Sequence, residues 1–149
     1  GDRRGSARPV LMRYFDASAL VKRYVREEAS DRIRRLLVSD TPATSRLSEV
    51  EVASALERRA REGAFSPAER DRALAAVASD FPALVVVEIT PQITARARAL
   101  LHRHALRAGD AVQIASCLFL QEQLGEPVTI VAFDDRLLTA ARQEGLLEP

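Results

Sequence analysis

The sequence predicts a three-layer α/β/α sandwich around a parallel sheet. Three observations lead there. Short β-branched or apolar runs alternate with longer amphipathic stretches, and no hairpin signal joins any two of the runs. One late stretch, Val112 to Phe119, is apolar almost all the way round, as a helix buried against a sheet must be. Finally, 149 residues with 47% hydrophobic and 29% charged side chains suit one ordinary folded, soluble domain.

Taken in order, residues 1–11 are small, charged and aperiodic at first and read as a tail, leaving a single domain over 12–149. Val10 to Phe15 has strand character and is closed by Asp16. Helices are expected over Ala17 to Arg26 and Ala29 to Val38, then a short extended piece over Thr41 to Thr44. Leu47 to Arg61 is a helix stopped by Gly63, and Ser66-Pro67 opens the next one, with Ser as cap and Pro in the first turn. Leu84 to Val87 is a buried strand and Pro91 to His104 a helix. Gly109-Asp110 starts the buried helix, Val128 to Phe133 is the last strand, and Asp134 to Gln143 the last helix.

Composition excludes several classes. One cysteine, Cys117, and two histidines leave no disulfide framework and no Cys/His zinc site. Cys117 lies among apolar residues and reads as an inert core thiol. His102 and His104, two apart on a helix, do not face each other and read as surface residues. No apolar run approaches the ~18 residues of a bilayer span, and no signal peptide is evident, so a cytoplasmic location without membrane attachment is expected. The net charge is +1, yet 21 of the 22 basic residues are arginine and Lys22 is the sole lysine. Arginine suits carboxylate and phosphate recognition. The alternative is compositional bias, since alanine is also abundant.

The acids carry the chemistry. Ligands of an open parallel sheet bind beyond the carboxyl ends of its strands, and two strands here end alike, in Phe15-Asp16 and Phe133-Asp134. Asp110 opens the buried helix, and Glu51 lies in the helix after the Thr41–Thr44 strand. Each also has a local explanation. Asp caps helices well, and Ser48-Glu49-Val50-Glu51 fits a capping box. Periodicity does not choose between Glu49 and Glu51. The conjunction says more than any member, because clustered buried carboxylates repel unless a cation joins them. An all-oxygen set favours Mg²⁺ or Mn²⁺. Such an ion can activate water and neutralise a phosphoryl oxygen, the chemistry of a metal-dependent nuclease. Lys22 and Arg23, after the first acid, and Arg107, before the third, are candidate phosphate contacts; solvated surface charge is the competing explanation for each.

Tyr14-Phe15-Asp16-Ala17-Ser18, Ser45 to Val52, Leu106-Arg107-Ala108-Gly109-Asp110-Ala111 and Ala132-Phe133-Asp134-Asp135 resemble the four acidic motifs of the PIN-domain family, most closely its VapC-type toxins. The resemblance spans about residues 12–147. It implies a Mg²⁺- or Mn²⁺-dependent endoribonuclease with Asp16, Asp110 and Asp134 as metal ligands and Glu51, preferred over Glu49, completing the site. Ser18 matches the family's hydroxyl two places after the first acid, where it orients carboxylates or water; helix capping explains it equally well. Asp135 could share the role of Asp134. The resemblance also implies an RNA substrate, a cognate antitoxin that covers the acidic groove, and a homodimer. The opposing expectation is a catalytically silent interaction module whose acids only cap helices. Phosphorylated-aspartate domains fit poorly: Ser18 stands where a phosphatase needs Asp, and Lys22 is misplaced for a receiver.

Overall fold

The computed structural model describes residues 11–149; the expected tail therefore lies, apart from Leu11, outside the described residues. Four strands, β1 (Met12–Phe15), β2 (Thr41–Ser45), β3 (Val85–Val87) and β4 (Thr129–Val131), form one parallel sheet in the order β3-β2-β1-β4. The helices are α1 (Ala17–Leu20), α2 (Ser30–Ser39), α3 (Arg46–Arg61), α4 (Pro67–Asp80), α5 (Pro91–Arg103), α6 (Ala108–Leu124) and α7 (Asp135–Gln143). Among the described residues, no helix is long and apolar enough to cross a membrane.

Strand pleating sorts the core into two layers. Tyr14, Ala43, Val87 and Ile130 point to one face, where Ile93, Leu100, Ile114 and Leu137 from α5, α6 and α7 cover them. Phe15 and Val131 point to the other, against Leu20, Ile33, Val52, Leu56 and Val77 from α1 to α4. The sandwich is as expected, and α6 is its central helix, with Ala111, Ile114, Ala115 and Cys117 all buried. The strand order turns back at β1: the chain moves outward through β2 and β3, then crosses to β4 on the other side of β1. The crevice between the ends of β1 and β4 is thus the switch point.

Several local expectations shift. The helix expected over Ala17 to Arg26 is α1 plus a 3-10 turn over Val21–Arg23. β4 stops at Val131, two residues before Phe133. The cap of α3 is Ser45, whose hydroxyl accepts from the Leu47 amide, so Ser48-Glu51 is no capping box. A true capping box joins Ser66 and Glu69 at the start of α4. Glu57 faces Arg70 of α4 at 3.9 Å. His102 is exposed as expected, while His104 is half-buried, its Nε2 3.2 Å from Glu144.

Candidate active site

Asp16 follows β1 directly and caps α1, its Oδ1 accepting from the Ala19 amide at 2.9 Å. The Ser18 hydroxyl lies 2.7 Å and 2.9 Å from the two Asp16 oxygens and accepts the Phe133 amide at 3.0 Å. Ser18 therefore ties the end of β1 to the segment after β4. Asp16 is only 4% exposed. Burial, with smaller contributions from the negative charges of Glu51 and Asp110, pushes its carboxyl up to about 7.

Asp110 lies in the first turn of α6, after Arg107 at the cap position. Its carboxyl is also raised, by burial and then by the charges of Asp134 and Glu51, while Arg107 pulls it down. Asp134 caps α7, accepting from the Leu137 amide at 2.9 Å, and is exposed. These acids thus reach one another electrostatically from four separate segments.

Glu51 and Glu49 part ways on α3. Glu49 is exposed and paired with Arg46 at 2.6 Å. Glu51 turns inward, where its Oε1 accepts from Gln113 Nε2 at 2.9 Å. Its Oε2 lies 3.2 Å from where a Cβ on Gly109 would stand, so a side chain at 109 would force Glu51 to move. Asp135 is in the first turn of α7, and its backbone carbonyl accepts from Thr139.

A groove of about 750 Å³ opens beside these acids, lined by Ser18, Lys22, Glu51, Arg58, Arg107 and Phe133 among others. Lys22 is half-committed within it: its ammonium meets Glu27 at 3.0 Å and the Glu28 carbonyl at 3.2 Å, and sits 4.5 Å from the centroid of Phe133. Arg107 is exposed at the groove. Arg23 is not brought to it. Its guanidinium bonds Asp80 at 2.9 Å and lines a separate cleft with Tyr24.

Sequence reasoning missed three contributors. Arg58 joins the groove from the far end of α3, and Phe133 is 38% exposed at its edge. Phe133 carried a signal, since it is the last apolar residue before Asp134. Gln113 carried a fainter one, as an amide on the otherwise apolar side of α6.

Tested as a cation site, the donors fit in kind: carboxylates only, from several elements, two of them pushed up by burial first and by neighbouring acids second. Glu51 fits against the bare Gly109. As arranged, no three acidic, His or Cys side chains among the described residues lie close enough to share an ion.

This constellation at the switch point of a four-stranded parallel sheet defines a class. The sequence matches the PIN domain over residues 13–143, and the chain belongs to that family. It is homologous to its VapC-type toxins. Ribonuclease VapC45 and Ribonuclease VapC49, both of Mycobacterium tuberculosis, are each 39% identical over 140 residues, covering 89% of this chain and 90% of theirs. The crystal structure of M. tuberculosis VapC20, described as a Sarcin-Ricin loop cleaving toxin, shares the fold with a TM-score of 0.69 at 21% identity, over 93% of this chain and 98% of that one. A toxin–antitoxin complex from Klebsiella pneumoniae gives a TM-score of 0.53 at 15% identity, over 78% and 83%.

Proposed function

We propose that this chain is a Mg²⁺- or Mn²⁺-dependent endoribonuclease and the toxin of a toxin–antitoxin pair, acting in the cytoplasm as a homodimer. The observation that carries the reading is the gathering of Asp16, Glu51, Asp110 and Asp134 from four segments at the switch point, beside a groove holding Arg58 and Arg107, where burial first and neighbouring acids second raise Asp16 and Asp110. Like charges gathered at such a point suit a cation and a phosphodiester. The names of the 39%-identical relatives support RNA as the substrate.

Asp16, Asp110 and Asp134 are the residues that would hold the ion, with Glu51 completing the set. When bound, the ion supplies activation of water and charge compensation at the phosphoryl group. Ser18 orients Asp16 through its hydrogen bonds. Arg107 and Arg58 steer the phosphate backbone, and Lys22 does so only in competition with Glu27. Phe133 offers its ring to an unpaired base, the usual way single-stranded RNA is held. A cognate antitoxin covers the same groove; the likeness to the Klebsiella chain, itself part of a toxin–antitoxin complex, supports such a partner.

The test is cleavage of a labelled mixed RNA pool with Mg²⁺, Mn²⁺ or EDTA, beside Asp110→Asn. Cutting that needs the ion and vanishes in the variant is expected. A second reading, a silent interaction module, is favoured by the capping bonds of Asp16 and Asp134. A folded protein that neither cuts RNA nor binds Mn²⁺ would establish it.

A further inference from the structure

Gln113 is 2% exposed, yet every polar atom of its side chain is engaged. Its Oε1 accepts from the Tyr14 hydroxyl at 2.5 Å, and its Nε2 donates to Ser48 Oγ at 3.0 Å and to Glu51 Oε1 at 2.9 Å. The Tyr14 phenol stays protonated, since burial raises it well above its ordinary value. The Glu51 carboxylate can only accept, so the NH₂ group points at Glu51 and Ser48 and leaves Oε1 for the Tyr14 hydroxyl.

The network continues to the sheet. Thr44 Oγ1 lies 2.7 Å from both the Phe15 carbonyl and Ser48 Oγ. A carbonyl can only accept, so the Thr44 proton goes to Phe15 and the Ser48 proton returns to Thr44. The chain of bonds runs Gln113, Ser48, Thr44 and then the carbonyl of the residue before Asp16. Gln113 also stands three places after Asp110, one turn along α6. One buried amide thereby touches or adjoins all three segments that carry Asp16, Glu51 and Asp110.

We propose that Gln113 is a positioning residue of the acidic site, holding the Glu51 carboxylate by one oxygen against the bare Gly109. This rests on the nuclease reading above. Gln113 acts through Glu51; it touches neither substrate nor ion. Glu51 is partly exposed on a helix surface and would otherwise sample several rotamers, so the amide selects the one that faces Asp16 and Asp110.

The experiment measures Mn²⁺ affinity by electron paramagnetic resonance, RNA cleavage and Tm for Gln113→Met, which keeps length without hydrogen bonds. Gln113→Glu keeps the acceptor for Tyr14 but replaces the donor to Glu51, and it serves if the Met variant fails to fold. Ile114→Val, a core truncation on the same helix, is the stability control. Roughly tenfold weaker Mn²⁺ binding is expected in both Gln113 variants, with kcat lowered and KM for RNA little changed. Ile114→Val lowers Tm and leaves Mn²⁺ affinity alone. In a Glu51→Gln background, Gln113→Met adds nothing further. Wild-type Mn²⁺ affinity in the Gln113 variants, or additive losses with Glu51→Gln, overturns the proposal. If Asp110→Asn still abolishes Mn²⁺ binding in that case, only the role of Gln113 falls; if Asp110→Asn binds Mn²⁺ normally, the nuclease reading falls and takes this role with it.

Discussion

The chain enters a helix after β1 and after β4 by the same local phrase, an apolar residue followed by an aspartate, yet it sets the two aspartates in different surroundings. Asp16 and Asp134 both cap, each accepting a backbone amide three residues on at 2.9 Å. Asp16 is sealed under Ser18 with Glu51 and Asp110 nearby, and its carboxyl is driven up to about 7. Asp134 stays exposed to water. A cap is a property of four or five consecutive residues; the energetic state of the capping carboxylate belongs to whatever packs over it.

The comparison breaks most visibly in catalysis. Asp16→Asn and Asp134→Asn are each expected to lower RNA cleavage by roughly 10²-fold or more, the scale of removing one electrostatic stabiliser, measured at saturating Mg²⁺. If Asp134→Asn cuts like the wild type, the two ends differ in function as well as in burial.

A second difference lies in the pH dependence of folding without divalent ions. Because the folded Asp16 carboxyl titrates near 7 and the unfolded one near 3.8, the folded state binds the proton more tightly. Its contribution is full below about pH 4 and is lost as pH rises through 7, at most about 4 kcal/mol over the window. Asp16→Asn is expected to flatten this slope in urea titrations from pH 4 to 8. An unchanged slope means that the burial of Asp16 is relieved in solution.

Divalent ions sharpen the point from the other side. At pH 8, Mg²⁺ or Mn²⁺ at a hundred times its Kd is expected to stabilise the protein by about 2.7 kcal/mol, read as a rise in Tm that EDTA reverses. Asp16→Asn and Asp110→Asn lose that rise.

The smallest effect isolates the cap. Asp134→Ala is expected to cost about 1 kcal/mol in denaturant unfolding, whereas Asp134→Ser, which can still cap, stays near the wild type. Both variants lose activity if the carboxylate matters beyond its cap.

The sandwich and the acids at its strand ends were legible because apolar runs closed by Asp are local signals. Misreadings came where one residue of register mattered. β2 runs on to Ser45, so the cap of α3 falls there and Ser48 is carried inside the helix to face Gln113. Arg23, in the 3-10 turn at Val21–Arg23, bonds Asp80, 57 residues away, instead of lining the groove. Gln113 was passed over because its partners, Tyr14, Ser48 and Glu51, lie 99, 65 and 62 residues off. No pattern within a helix reports bonds of that range.

Chain-local information thus sufficed for what short-range forces decide: the alternation of strand and helix, the buried character of α6, the strand-end aspartates and the caps they can form. Choosing Glu51 over Glu49 in space, withdrawing Arg23, adding Arg58 and Phe133 to the groove and giving Glu51 its amide partner required the packed structure. Hydrogen bonds and charge–charge interactions act over a few ångströms of space regardless of separation along the chain. They take effect only after the hydrophobic layers have brought β1, α3 and α6 together.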